Sequence, residues 1–207
     1  MSAHCCDHDH GSTASASPTY RRILWVALVV NLAMFVVEMG AGLIAQSASL
    51  LADSVDFLGD AANYGLSLFV LGMAIKWRAR ASLVKAASMG AFGIWVAGTT
   101  IHHALAGTVP QAPVMGAIGA LAFAANLGVA ALLYRWREGD SNMRSVWICT
   151  RNDALGNLAV LVAAAGVFGS GTGWPDYIVA AIMSGLALWG SVQVLRQAAG
   201  ELRPAQS

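Results

Sequence analysis

Charge is scarce in this chain. Only 11% of its 207 residues are Asp, Glu, Lys or Arg, and 57% are hydrophobic, whereas a soluble domain averages about 25% charged residues. A mean hydropathy of +0.61 agrees, and together these exclude an ordinary soluble domain. Cysteine is equally sparse: three residues, two of them the adjacent Cys5 and Cys6, give no disulfide framework. No basic cluster accompanies an exposed aromatic platform, which argues against a nucleic-acid partner. Neither H-E-x-x-H nor G-x-S-x-G occurs, so the signatures of a metalloprotease and of a serine hydrolase are missing and no enzyme is expected. The first 20 residues hold no apolar run that would read as a cleavable signal peptide.

What the chain does have is six apolar segments, at about 22–45, 49–75, 83–106, 113–134, 145–168 and 175–197. Each is near the roughly 20 residues that cross hydrocarbon. The breaks carry turn or polar residues: Gln46-Ser47, Lys76 to Arg80, Gly107 to Pro113, Arg135 to Asn142, and Gly169 to Pro175. In a six-span arrangement all twelve Lys and Arg fall toward one side, from Arg21 and Arg22 before the first span to Arg196 and Arg203 after the last. The positive-inside rule makes that side cytoplasmic. The expected fold is thus an all-α integral membrane protein, a six-transmembrane-helix bundle with both termini in the cytoplasm. Its parts are a disordered tail over 1–20, a transmembrane domain over 21–200 and a short C-terminal tail over 201–207.

Two stretches carry the chemistry. The second span holds Asp53, Asp56 and Asp60, spaced so that a helix puts all three on one face. Charge within a membrane span is costly and defaults to a functional role. No lysine or arginine lies deep in another span to neutralise these carboxylates, whereas a divalent cation would. The fifth span repeats the four-residue spacing with Cys149 and Asp153. Two helices that each offer two donors one turn apart can close a four-ligand site. Asp56, Asp60, Cys149 and Asp153 are therefore the candidate metal ligands, with oxygen and thiolate donors that suit tetrahedral Zn²⁺ and, through the softer sulfur, Cd²⁺.

Accessory donors are Asp53, one turn before the acidic pair, and the tail residues His4, Cys5, Cys6, His8 and His10, whose composition reads as metal capture. His102 and His103, near the outer end of the third span, could form an exit site. Glu38, Asn31, Asn63 and Asn157 are further intramembrane polar groups, of a kind that satisfy one another across helices.

The stretches SASLLADSVDFLGDAANY, ANLGVAALLYRWREGDSNMRSVWICTRNDALGNLAVLVAA and WPDYIVAAIMSGLALWGSVQVL resemble the cation diffusion facilitator family, over about residues 22–200. The resemblance implies one divalent transition metal bound in mid-membrane and exchanged for protons. By position, Asp56 and Asp60 match the family's ligands on the second helix, and Asp153 matches the second ligand of the fifth. Cys149 stands where the family has His or Asp. The family's C-terminal cytoplasmic domain is missing from this sequence, while a homodimer is still implied. The expected activity is proton-coupled efflux of Zn²⁺, with Cd²⁺, Co²⁺ or Ni²⁺ as alternatives, across a bacterial plasma membrane. The expected partners are metal ion, protons and the lipid bilayer, and no cofactor is required beyond the metal as substrate. A metal sensor without flux and an intramembrane metalloenzyme are the competing readings.

Overall fold

The computed structural model describes residues 18–69, 75–136 and 141–202. Six long helices make up these segments: α1 (Pro18–Ala45), α2 (Ala48–Phe69), α3 (Ile75–Ala106), α4 (Ala112–Leu133), α5 (Ser141–Ser170) and α6 (Trp174–Leu202). A short 3-10 turn, Tyr134–Trp136, follows α4. The helices follow the six expected apolar segments in order, but several boundaries move, α5 opening at Ser141 and α6 running to Leu202. The basic stretch Lys76 to Arg80, expected as a break, lies in the opening turns of α3, because Lys, Arg and Ala are all strong helix formers. Pro18, Thr19 and Tyr20, expected in the disordered tail, open α1. Proline suits a first helical position, and Tyr20 is buried against the bundle. His4, Cys5, Cys6, His8 and His10 lie outside the described residues.

Five of the helices contain stretches long and apolar enough to cross a membrane: Pro18–Ala45, Ala79–Ala106, Ala112–Leu133, Trp147–Ser170 and Trp174–Gly200. The exception is α2, whose three aspartates lower its hydropathy. It spans 22 residues, about 33 Å at 1.5 Å per residue, which is comparable to the hydrocarbon thickness. It also packs against α1, α3, α5 and α6, so protein rather than lipid surrounds its polar stripe. Elsewhere the usual arrangement is reversed. Val36, Ile44, Leu105 and Phe168 are exposed, while Asn31, Glu38, Asp53, Asn126 and Asn157 are buried. Such an exterior suits hydrocarbon, where polar groups must find partners inside the protein. The chain is an integral membrane protein.

The closest pairings run α1 along α2, α3 along α6 and α4 along α5. Between α1 and α2 the chain turns at Gln46, which takes a positive φ of 53°. Ser47 then caps α2, its Oγ accepting from Leu50 N at 3.2 Å. A second cap comes from another helix. Asp176, in the first turn of α6 and fully buried, accepts from Ser47 Oγ (2.7 Å), Ala48 N (2.8 Å), Ser49 N (3.0 Å) and Ser49 Oγ (2.6 Å). A carboxylate here satisfies orphan amide groups and opposes the positive end of the helix dipole. It fastens the start of α2 to α6, and with it the register of every aspartate on α2.

Candidate metal centre

Asp56 and Asp60 lie one turn apart on α2; Cys149 and Asp153 lie one turn apart on α5. All four line a single cavity of about 130 Å³ bounded by α2, α3, α5 and α6. One water needs roughly 10–15 Å³ of such space, so the cavity has room for an ion that still carries water. Asp60 is buried, whereas Asp56, Cys149 and Asp153 are partly exposed. Gly59, between the two aspartates, lets α3 close in: a Cβ there would lie 2.8 Å from Met89 Cε. The remaining wall is mixed, with Asn63 and Asn152 as polar groups and Met183 and Leu186 as apolar ones.

Asp60 is oriented by a hydrogen-bonded chain that crosses from α5 to α2. Tyr64 Oη donates to Asp60 Oδ2 at 3.3 Å. The same hydroxyl lies 2.6 Å from Thr150 Oγ1, so the threonine is the donor in that second bond. Thr150 follows Cys149 directly, and the chain therefore links the α2 pair to the α5 pair. Tyr64 and Thr150 drew no attention as sequence, although the i, i+4 spacing of Asp60 and Tyr64 was a usable signal.

The four candidate ligands share a cavity without converging on one point. Among the described residues, no three His, Cys, Asp or Glu side chains are drawn together closely enough to hold an ion. Bonds of 2.0–2.3 Å would require these side chains to swing inward. Lys85 corrects an expectation. The sequence puts no lysine or arginine deep in another span, yet Lys85 of α3 lines the same cavity and its ammonium donates to Asn63 Oδ1. A long flexible stem lets a lysine rooted nearer the surface reach inward.

Asp53, an accessory donor on sequence grounds, is not in the cavity wall. Its side chain is buried and accepts from Asn157 Nδ2 at 2.6 Å. His102 and His103 sit at the far end of α3 with ring centroids 6.0 Å apart, away from the cavity. Asp176 was missed as well. It is the one acid within the apolar run of α6, and that isolation was the available signal.

A helical membrane bundle with paired carboxylates facing an internal cavity defines a class: polytopic proteins built to admit a cation. Residues 24–202 match the cation efflux transmembrane domain, and the chain belongs to that family. Its members are transporters of metal cations rather than enzymes. No curated protein matches the chain.

Proposed function

We propose that this protein exports divalent transition-metal cations from the cytoplasm, Zn²⁺ foremost with Cd²⁺, Co²⁺ and Ni²⁺ as alternatives, in exchange for protons. The observation that carries this reading is the shared cavity, with Asp56 and Asp60 on one wall and Cys149 and Asp153 on another. Metal enters from the side where the basic residues cluster. The cavity supports this direction, since its wall extends along α2 to Asn63 and along α6 to Val194, two residues before Arg196. The four donors close around the ion, and α2 and α5 then rock to expose it outward, the general alternating-access scheme. Protons compete for the same carboxylates and thiolate, because ligands must be deprotonated to hold metal. Metal affinity therefore falls as pH falls, and protons entering from outside release the ion.

The same reading includes six spans with both termini cytoplasmic, a homodimer, a bacterial plasma membrane and metal capture by His4, Cys5, Cys6, His8 and His10. The test is metal uptake into proteoliposomes that enclose a pH-sensitive dye, with Cys149→Asp and Cys149→Ser beside the wild type. Zn²⁺ flux with opposite proton movement is expected, together with a changed metal order in the Cys149 variants. Binding without flux would make the protein a sensor. Absence of both binding and flux would remove the metal reading.

A further inference from the structure

Among the described residues of the cavity wall, Lys85 is the one basic side chain, facing the same space as Asp56, Asp60 and Asp153. Its ammonium crosses from α3 to α2 and donates to Asn63 Oδ1. Asn63 follows Asp60 by three residues, on the same face of α2 and about 4.5 Å along the axis. The lysine head therefore stands within one helical turn of Asp60, at the end of the cavity where Asn63 and Val194 form the wall.

The root of this side chain is fixed, and its head is not. Next to it, Ala86 O accepts from Ser191 Oγ of α6 at 2.7 Å. Farther along α3, Gly90 brings the helices so close that a Cβ would meet Ser191 Oγ at 2.7 Å, and at Gly93 a Cβ would meet Leu188 Cδ2 at 3.1 Å. These contacts hold the α3 backbone against α6. The four-carbon stem of a lysine stays adjustable. Lys85 also borders a groove between α2 and α3, lined by Ala62, Leu66, Ala81 and Ser88. Rotation of the stem can thus carry the ammonium out of the cavity without moving either helix.

The bond that holds the head inward suits displacement. Its acceptor is a neutral amide rather than a carboxylate, and a bond to an amide is easier to open than a buried ion pair. A divalent ion in the same cavity meets the ammonium as a like charge, and that repulsion is far stronger inside a protein than in water. The tether meanwhile keeps the ammonium at a high local concentration whatever the ions outside. An incoming cation must outcompete it, which a metal with two charges and bonds to carboxylate and thiolate can do.

We propose that Lys85 is a built-in competitor for the metal cavity: its ammonium occupies the mouth, an entering divalent ion displaces it, and it returns as the ion leaves. The lysine thereby holds metal affinity at a level that permits release, since a transported ion must bind well enough to enter and weakly enough to go. This role rests on the export reading and concerns the strength of binding, not the identity of the ligands.

Calorimetric titration of the purified full-length protein with Zn²⁺ tests it. Lys85→Ala and the nearly isosteric Lys85→Met are expected to bind Zn²⁺ about tenfold more tightly, the size of one like charge removed at an intermediate dielectric. Lys85→Arg is expected to stay near the wild type. Propylammonium replaces the atoms that Lys85→Ala removes. It should return that variant toward wild-type affinity and leave the wild type unchanged, with potassium chloride at equal ionic strength doing neither. A lysine that only held α2 against α3 would give weaker binding on removal and no response to the amine. Unchanged or weaker binding in the alanine and methionine variants overturns the role, as does tighter binding that propylammonium leaves untouched; either result leaves the export reading standing. If Lys85→Ala does not fold, the methionine and arginine variants decide by affinity alone. Absence of Zn²⁺ binding in the wild type and every variant removes the export reading and this role together.

Discussion

Helices α2 and α5 meet at two polar places, and the two are built on opposite plans. At one, Asp56, Asp60, Cys149 and Asp153 face open space. At the other, buried Asp53 accepts from Asn157, which in turn accepts from buried Asn126. The aspartates belong to one helical stripe, so the difference does not come from their spacing. It comes from what α2 meets at each depth. Around Asp53 the neighbours are α1 and α5, with Gly42 allowing close approach. Around Asp60 the wall is shared with α3 and α6, and the space between these helices stays unfilled. A carboxylate beside a cavity can exchange its partner, whereas one enclosed among amides keeps it. The first arrangement suits an exchangeable ion and the second a fixed contact between helices.

The comparison breaks most sharply by removing the open pair. Asp56→Ala/Asp60→Ala is expected to abolish metal flux in proteoliposomes while the protein still elutes as a single species. Asp53→Asn, measured by zinc-binding calorimetry, is expected to leave affinity within about tenfold, the lower edge of what supporting groups contribute. Equal losses in the two variants would erase the distinction between the regions.

Next in size is the anchor that sets the height of both regions. Asp176→Asn removes charge-assisted bonds to the buried start of α2 and is expected to cost about 2 kcal/mol. Denaturant-induced unfolding in detergent reads this, and an unchanged midpoint would show that α2 is held elsewhere. A smaller effect is expected from Tyr64→Phe, which breaks the chain from Thr150 to Asp60. Zinc affinity should fall about tenfold, as for other groups that orient a ligand. No change would mean that Asp60 needs no orienting hydroxyl. Smallest of all is Gly59→Ala. The added carbon meets only the mobile end of Met89, so the strain and the gain in helix propensity should cancel to within about 1 kcal/mol. A large loss would show that Met89 cannot move.

Much of this was legible in the chain itself. Apolar length marked out six helices because a bilayer demands about 20 such residues per span, and the helices match those segments closely. The one helix without a stretch apolar enough to qualify as a span, α2, is also the one with the most acidic residues. Spacing picked out the pairs Asp56/Asp60 and Cys149/Asp153, since a helix places residues four apart on one face, and both pairs reach one cavity.

What spacing could not supply was the partner of each polar residue. Asp53 reads like a third member of the acidic stripe, and only the approach of α1 and α5 takes it out of the cavity. Lys85 falls just inside the third apolar segment, and only the packing of α3 brings it to the cavity wall. Asp176 reads like an isolated acid, until α6 carries it to the first amides of α2, across more than 120 residues of chain. Periodicity is local and was written in the sequence. Which helix covers which face at which depth depends on contacts between distant segments, and only the folded bundle decided that.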